Sequence, residues 1–442
     1  MTITLAFALT WLLACRGEPD TKRQTLALRA LDDGAAIVVS YEHSRQQWVS
    51  VLGADGRARW SAKLQGKPAT YLRSDEALVV GSDRVAVRTH RRDDVVQIET
   101  FSLRDGHRTV VPLGPIPRGN DLDRMPGYVV NGQLNESYLE RDGNHHQPWL
   151  VTIDLHTGHE TRRVSLPFEI TNAVMRKNDV VLHGKHGDLF ASASGELREA
   201  AGDRGCVLDN RYWRLVKTSG DRYDLTTSEA PSQSLPLELG PGRLRLEHCA
   251  QHQDRFILLL SVNRPNQVFS TELWIVGRDG SALANFPIYE APKSDGLMAL
   301  TLPRFVPLVV ETPVKALVML DVEHGSIAWQ LPMTSFEPLS ALLRSQDRWY
   351  LVNGLDAPEV AVIDGTTGRL VTAKRLEAKH GIGRLGPNNI SQQGLWVRSA
   401  QWESSDGSVT KLDPLTLERV AGAPVTVTNI GGTSPFLGIP RN

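Results

Sequence analysis

The sequence predicts an all-β protein, a β-propeller of four-stranded blades. Three observations support this fold class. Apolar and polar residues alternate along many short segments, as they do in strands with one buried face. Turn residues, above all Asp-Gly and Thr-Gly, separate these segments, and such pairs suit tight hairpins because they reach positive φ. The pattern recurs about every 45 residues, a period typical of propellers.

Each repeat contains two hairpins. One is an alternating strand, a turn with Asp or Thr before Gly, and a second strand, as in WLVTIDLHTGHETRRVSL at 149 and ALVMLDVEHGSIAWQLP at 316. A degenerate copy has Leu417 where Gly is expected. The other hairpin precedes it and has Asp or Asn before a strongly apolar strand, as in QDRWYLVN at 346. Two hairpins give the four antiparallel strands of one blade.

The number of blades follows from the count of repeats. About nine candidate units are visible, and one of them, around 205–240, lacks the Gly turn. Because propellers usually carry up to eight blades, we predict eight, within a range of seven to nine. Two stacked all-β domains are the alternative fold, but they would require a break in the period. Residues 25–442 are therefore predicted to form a single propeller domain.

A short apolar segment precedes the repeats. Residues 3–14 are too few to span a bilayer, which takes roughly 20 residues, but they have the length of a signal-peptide apolar region. The segment ends in Leu-Leu-Ala-Cys, which resembles the lipobox of bacterial lipoproteins. The resemblance implies a signal peptide over 1–15, acylation of Cys15, and a polar tether over 16–24. The alternative is an ordinary signal peptide, and under either interpretation the protein leaves the cytoplasm.

Composition restricts the partners and points to one cross-link. Lys plus Arg number 49 against 50 Asp plus Glu, so the chain lacks the basic footprint of a nucleic-acid-binding protein. If Cys15 is acylated, Cys206 and Cys249 remain as a possible disulfide in an oxidising compartment. Both are predicted on the inner strands of neighbouring units, where a Cα separation under roughly 7 Å is feasible. The alternative is two buried free thiols.

The Gly-turn hairpin resembles the repeat of pyrroloquinoline-quinone (PQQ)-type propellers. That repeat has Asp, then Thr-Gly three residues later, then Trp four residues after the Gly. In that family the Trp packs between blades, so the resemblance implies the same here, with less regular docking where Arg or Thr replaces Trp. The matching or replacing residues are Asp154, Thr157, Gly158, Asp364, Thr367, Gly368, Asp321, Gly325, Trp329, Asp55, Gly56 and Trp60, with Arg162 and Thr372 in place of Trp.

The resemblance identifies a fold, and fold alone does not give function. The quinoprotein dehydrogenases of this family have vicinal cysteines, a calcium site and a catalytic Asp, whereas this sequence has neither adjacent cysteines nor a recurring calcium loop. A lipobox followed by a propeller is similar in plan to the BamB-type outer-membrane assembly lipoproteins. This resemblance implies a lipid-anchored scaffold without catalysis, metal or cofactor, bound to an envelope protein. The alternative is a ligand-binding or quinoprotein-like enzyme that uses the central channel.

Residue 16 bears on the location of the protein. Arg16, rather than Asp, follows the lipobox cysteine. By resemblance to proteobacterial lipoproteins, this implies sorting to the outer membrane, with the propeller on its periplasmic face.

For the remaining candidate residues we prefer a structural interpretation to a functional one. Two histidine pairs have spacings that could bring imidazoles to one metal, and one acidic pair resembles part of a cation loop. Neither has the remaining ligands at the required spacing, so we interpret the histidines and acids as solvated loop residues. These residues are His145, His146, His183, His186, Asp121 and Asp123. Several Trp residues are predicted on strands, in the core: Trp213, Trp274, Trp349 and Trp396.

Overall fold

The computed structural model describes residues 24–41, 46–68, 78–91, 95–115, 127–142, 145–176, 179–184, 186–192, 196–200, 205–220, 222–227, 229, 232–239, 242–263, 270–288, 301–310, 316–332, 339–354, 357–377, 385, 389–398, 409–422, 425–430 and 434–441. Most of these residues lie in antiparallel strands. The described strands fall into nine units, numbered along the chain, and neighbours in sequence pair within each unit, except that β5 pairs with β7.

Units 1 to 4 contain seventeen strands. Unit 1 comprises β1 (Gln24–Ala30), β2 (Ala36–Tyr41), β3 (Gln47–Leu52) and β4 (Ala58–Lys63). Unit 2 comprises β5 (Lys67–Pro68), β6 (Leu78–Val80), β7 (Arg84–His90), β8 (Val95–Ser102) and β9 (Arg108–Pro115), with both β5 and β6 paired to β7. Unit 3 comprises β10 (Gly127–Val130), β11 (Gln133–Asp142), β12 (His145–Asp154) and β13 (Glu160–Ser165). Unit 4 comprises β14 (Ile170–Met175), β15 (Asp179–Gly184), β16 (Asp188–Ser192) and β17 (Leu197–Glu199).

Units 5 to 9 continue the same plan. Unit 5 comprises β18 (Gly205–Leu208), β19 (Arg211–Ser219), β20 (Arg222–Thr227) and β21 (Gln233–Leu237). Unit 6 comprises β22 (Arg243–His252), β23 (Arg255–Asn263), β24 (Ser270–Gly277) and β25 (Ala282–Ile288). Unit 7 shows β26 (Phe305–Val310), β27 (Ala316–Asp321) and β28 (Ser326–Pro332). Unit 8 comprises β29 (Ala341–Ser345), β30 (Arg348–Asn353), β31 (Glu359–Asp364) and β32 (Leu370–Glu377). Unit 9 comprises β33 (Ile390–Ser391), β34 (Gly394–Arg398), β35 (Val409–Leu412) and β36 (Arg419–Gly422).

The topology confirms an all-β propeller of four-stranded blades. Units 6 and 7 share one seven-stranded sheet because Ile288 pairs with Val310, so the described strands form eight sheets and nine units. Both numbers lie within the predicted range of seven to nine. First strands of neighbouring units contact one another, as β1 and β6 or β18 and β22 do, so the first strand of each unit is the inner one.

The last unit packs on the first and closes the ring. Leu28 and Val38 of unit 1 share a buried cluster with Trp396 of unit 9. The Arg398 guanidinium donates a hydrogen bond to the carbonyl of Leu26. Closure removes the end faces that an open array of blades would leave exposed. It depends on residues more than 360 positions apart, since the Arg398–Leu26 separation is 372.

Tryptophans on two outer strands join neighbouring units, as the resemblance implies. Trp60 Nε1 donates to the carbonyl of Leu103 in unit 2 at 2.9 Å, and Trp329 Nε1 donates to the carbonyl of Gly368 in unit 8 at 2.7 Å. The turn must be Gly where the indole packs on it. Gly106 has φ 72°, and a Cβ there would lie 2.9 Å from a ring atom of Trp60.

In units 2 and 6, an arginine begins the strand that follows the inner strand, β7 or β23, and makes a further contact between units. Arg84 Nε donates to the carbonyl of His156 in unit 3 at 3.1 Å, and Arg255 Nε donates to the carbonyl of Glu323 in unit 7 at 3.4 Å. Sequence reasoning assigned no role to this arginine. It docks the outer turn of the next unit, so it adds a polar contact beside the Trp or in its place.

Leu417 keeps the backbone conformation of the glycine that it replaces. Its φ is 58°, in the left-handed region that costs an L-residue roughly 1–2 kcal/mol. Its side chain is fully buried in the cluster between units 8 and 9. Burial of a Leu side chain is worth about 1.5–3 kcal/mol, so it offsets the backbone cost.

The C-terminal segment returns from unit 9 to unit 8. Strand β37 (Thr426–Asn429) pairs with β32 as a fifth, outer strand. A 3-10 helix, Pro435–Gly438, then places Phe436 and Ile439 in the core cluster that units 6 to 8 share. The Leu370 N–H donates to the carbonyl of Pro440 at 2.8 Å, which ties the segment to β32 again.

Candidate functional site

A groove of about 670 Å³ opens between units 5 and 6. We call it the 5/6 groove. It lies between two separate sheets, so its walls come from separate parts of the chain. Its lining residues are Asp209, Arg211, Trp213, Gln233, Ser234, Leu235, Phe256 and Arg278.

Two aromatic side chains form the buried wall of the groove. Trp213 on β19 and Phe256 on β23 have ring centroids 6.0 Å apart and an interplanar angle of 50°. Trp213 Nε1 donates to the carbonyl of Leu208 at 3.2 Å, which holds the indole in place. Trp213 therefore belongs to the core, as predicted from the sequence, and also lines a cavity.

The rim of the groove is polar and charged. Arg278 Nη2 lies 3.1 Å from Asp209 Oδ2. The side chain of Arg278 is 55% exposed and that of Asp209 is 33% exposed. The backbone N–H of Asp209 donates to Gln251 Oε1 at 3.0 Å and fixes the turn. An exposed pair of this kind contributes about 0–1 kcal/mol, so a ligand could replace it at little cost.

A disulfide lies directly behind the aromatic wall. The structure joins Cys206 on β18 to Cys249 on β22, with the two Cα atoms 5.8 Å apart. Cys206 pairs across the sheet with Trp213. Both cysteines belong to the same apolar cluster as Trp213 and Phe256. The bridge therefore ties together the inner strands whose separation sets the width of the 5/6 groove.

Several residues considered from the sequence fall outside what the structure describes. Cys15, Arg16, Asp121 and Asp123 lie outside the described residues. His145 and His146 begin β12, but their side chains lie outside the described part. The structure therefore bears neither on acylation nor on these loops.

His183 is a correction to the interpretation of the histidines as solvated loop residues. It lies on β15 and is 4% exposed, whereas His186 is exposed. His183 Nδ1 is 2.9 Å from Asp188 Oδ1, and the Tyr212 hydroxyl donates to Asp188 Oδ2 at 2.6 Å. The N–H of Gly205 donates to the same oxygen at 3.0 Å. Sequence spacing missed this cluster because Tyr212 comes from the next unit.

The electrostatics of this cluster favour an ionised Asp188. Burial acts to raise the pKa of Asp188, but hydrogen bonds with His183, Tyr212 and Gly205 outweigh it and lower that pKa. Burial and the Asp188 charge raise the pKa of Tyr212 above its usual range, so the phenol remains a donor. The cluster joins units 4 and 5, and its residues do not line the 5/6 groove.

A second polar cluster lies at the outer turn of unit 7. Asp321, Glu323 and His324 could offer three ligands to a cation. Arg304 already pairs with Asp321 Oδ2 at 2.8 Å and with Glu323 Oε2 at 2.9 Å. Partial burial acts to raise the pKa of Asp321, but Arg304 and His324 hold it below its usual value. The cluster is best explained as an ion-pair network that orders the turn.

The described inner strands carry mostly apolar and cationic side chains. Within the described ranges, Glu247 is the one acidic residue on a first strand of any unit. The arginines there include Arg29, Arg243, Arg245 and Arg344. Separately, no helix among the described residues has the length and apolar character needed to cross a bilayer.

Comparison with known proteins finds similarity to solved structures alone. No family model and no curated protein matches the sequence. BamB from Moraxella catarrhalis has a TM-score of 0.40 at 12% identity, covering 81% of this chain and 94% of that one. Dihydro-heme d1 dehydrogenase NirN has a TM-score of 0.42 at 12% identity, covering 81% and 74%. AztD from Citrobacter koseri has a TM-score of 0.39 at 13% identity, covering 79% and 94%.

These proteins are what the chain is similar to, and the propeller fold itself rests on the four-stranded topology described above. At these scores the likeness says nothing about what the protein binds or whether it is an enzyme.

Proposed function

We propose that the protein is a lipid-anchored scaffold of the bacterial envelope, which binds another protein and is not an enzyme. The observation that carries this proposal is the 5/6 groove, in which a buried Trp and Phe lie beneath an exposed charged rim. Trp and Arg are enriched among the residues that dominate protein–protein binding energies. An apolar centre inside a polar rim is the usual arrangement of such interfaces.

The charges of the groove favour an acidic partner segment. Its lining contains two arginines, Arg211 and Arg278, against one acid, Asp209. A cavity of this volume holds a few side chains rather than a folded domain. The partner is therefore expected to place an apolar or aromatic side chain against Trp213 and a carboxylate near Arg278. The disulfide behind the wall keeps the groove open and reduces the ordering cost of binding.

The proposal is tested by reversing one rim charge. A photoreactive amino acid at Ser234 should cross-link the partner in cells, and Arg278→Glu should reduce that cross-link by about tenfold or more, since loss of an interface Arg typically costs at least about 1.4–2 kcal/mol. Arg222→Glu is the matched control, because Arg222 is exposed on β20 and does not line the groove. Equal cross-linking in wild type and Arg278→Glu, or equal loss in both variants, would contradict the groove as the binding site.

The lipid anchor gives an independent prediction. Cys15→Ser should accumulate an uncleaved precursor that takes up no labelled palmitate, because the thiol of the lipobox cysteine is the group that is acylated in this motif. The matched control is Cys206→Ser, which should be labelled like wild type. Labelling that persists in Cys15→Ser would show that the N-terminal segment is not a lipoprotein signal. The expected site of the labelled protein is the periplasmic face of the outer membrane.

A further inference from the structure

The outer strand of unit 7 differs from the outer strands of the other units. An exposed edge offers unpaired backbone groups, and proteins usually protect it with charges, with proline or with a covering segment. The described residues include nine outer strands. Seven of them have a charged residue or an interior proline. An eighth, β32, is charged and is also covered by β37. Strand β28, Ser326–Pro332, has no charged residue, and its one proline, Pro332, is its last residue.

The exposed side chains along this edge are uncharged, and besides apolar residues they include Ser326 and Gln330. Ile327 on β28 is 41% exposed, and Ala328 beside it is also exposed. Leu283 on the outer strand of unit 6 is 41% exposed and lies against Gly325, two residues before Ile327. These residues form a short apolar strip next to an open backbone edge. Within the described residues, β28 pairs with β27 alone.

The chain itself shows how such an edge is filled. Strand β37 adds to the outer edge of unit 8 in antiparallel register, from Lys374 opposite Asn429 to Glu377 opposite Thr426. Its sequence, Thr-Val-Thr-Asn, has no charge and includes β-branched residues, which favour extended backbone. An outer strand of this propeller therefore accepts a fifth strand of that composition.

We propose that the outer edge of β28 binds an extended, uncharged segment of a partner protein, which adds to unit 7 as a fifth antiparallel strand. Backbone hydrogen bonds would supply affinity, and apolar side chains of the segment would contact Ile327 and Leu283. The C-terminal helix packs near one end of the edge, since Gly438 lies against Leu331. The free edge is thus Ser326–Gln330, which at about 3.3 Å per residue spans roughly 16 Å.

This surface is separate from the 5/6 groove, because no residue of β28 lines that groove. Failure of one proposal leaves the other standing. A second copy of this chain, pairing edge to edge, is a different occupant that the experiment below distinguishes.

The probe is a fluorescent peptide with the sequence VTVTNI, residues 425–430 of this chain. Full-length protein in detergent is expected to bind it saturably, as measured by anisotropy. Ile327→Lys should weaken binding by about tenfold or more, because a charge on an edge strand disfavours strand addition. Ala328→Pro should do the same by removing a backbone donor and fixing φ. Val420→Lys is the matched control, since Val420 is an exposed apolar residue on the outer strand of unit 9.

Photo-cross-linking of the bound peptide identifies the edge. Cross-links within 326–332 support the proposal, whereas cross-links within 370–377 would show that the peptide replaces β37 on unit 8. Absence of saturable binding, or equal binding by Ile327→Lys and wild type, would overturn the proposal. A dimer that Ile327→Lys dissociates in sedimentation would also overturn it, because the edge would then bind a second copy. Unchanged thermal unfolding of each variant excludes misfolding as the cause.

Discussion

Replacing Arg88 with Ala is expected to destabilise the propeller by about 3–5 kcal/mol, the usual cost of leaving one partner of a buried ion pair without its counter-charge. Arg88 on β7 of unit 2 pairs with Glu136 on β11 of unit 3. Arg88 is 6% exposed and Glu136 is 3% exposed, so water does not replace the lost partner. The effect should appear as a lower midpoint of urea unfolding.

Two further variants separate this explanation from simple loss of packing. Arg88→Met with Glu136→Leu removes both charges and should lie far closer to wild type than Arg88→Ala, because no buried charge remains. Arg59→Ala breaks the exposed pair with Asp33 and should cost less than about 1 kcal/mol. If Arg88→Ala unfolds at the wild-type urea concentration, the pair does not stabilise the contact between units 2 and 3.

Loss of the Cys206–Cys249 disulfide is expected to cost about 4 kcal/mol. The bridge closes a loop with a sequence separation of 43, and chain entropy alone predicts a cost of that size. Cys206→Ser with Cys249→Ser should therefore unfold at a lower urea concentration than wild type. Reductant should lower the midpoint of wild type and leave the double variant unchanged.

Mass spectrometry of non-reduced peptides tests the bridge directly in protein taken from the envelope. A peptide pair joined through Cys206 and Cys249 is the expected product, and two freely alkylated cysteines would refute it. The double variant should also change the fluorescence of Trp213, since that residue pairs across the sheet with Cys206. A variant that loses stability without altering Trp213 would show that the bridge does not shape the 5/6 groove.

Periodic local signals explain why much of the fold could be predicted. Each turn in the repeat has its own chemistry, as Gly106 and Gly368 show by adopting positive φ where the sequence predicts tight turns. A repeat also places equivalent positions at equal depth in neighbouring units. That is why Cys206 and Cys249 could be assigned to neighbouring inner strands from the sequence, whereas the contact of the Trp that follows a turn Gly by four residues is implied by the resemblance to PQQ-type repeats.

The polar clusters could not be predicted in this way, because each includes residues that are distant from one another in sequence. Asp188 accepts from Tyr212, which lies 24 positions away in the next unit, and Arg304 reaches Asp321 across a strand pair. His183 is interpreted from the sequence as a solvated loop residue because no third metal ligand lies at the required spacing. Burial depends on which unit packs against a residue, and local sequence does not contain that information.

The sequence by itself determined the strand pattern and the repeated unit, because alternation and turn chemistry act over a few neighbouring residues, and it also predicts a lipobox from a short apolar run. Only the tertiary structure decided how the ring closes, where the 5/6 groove opens and which outer strand of the described residues, β32, is covered by a fifth strand. Those features depend on packing between sheets and on the return of β37 to unit 8. Such contacts are stabilised only when two surfaces pack against each other. A single segment of sequence supplies one of these surfaces and does not specify the other.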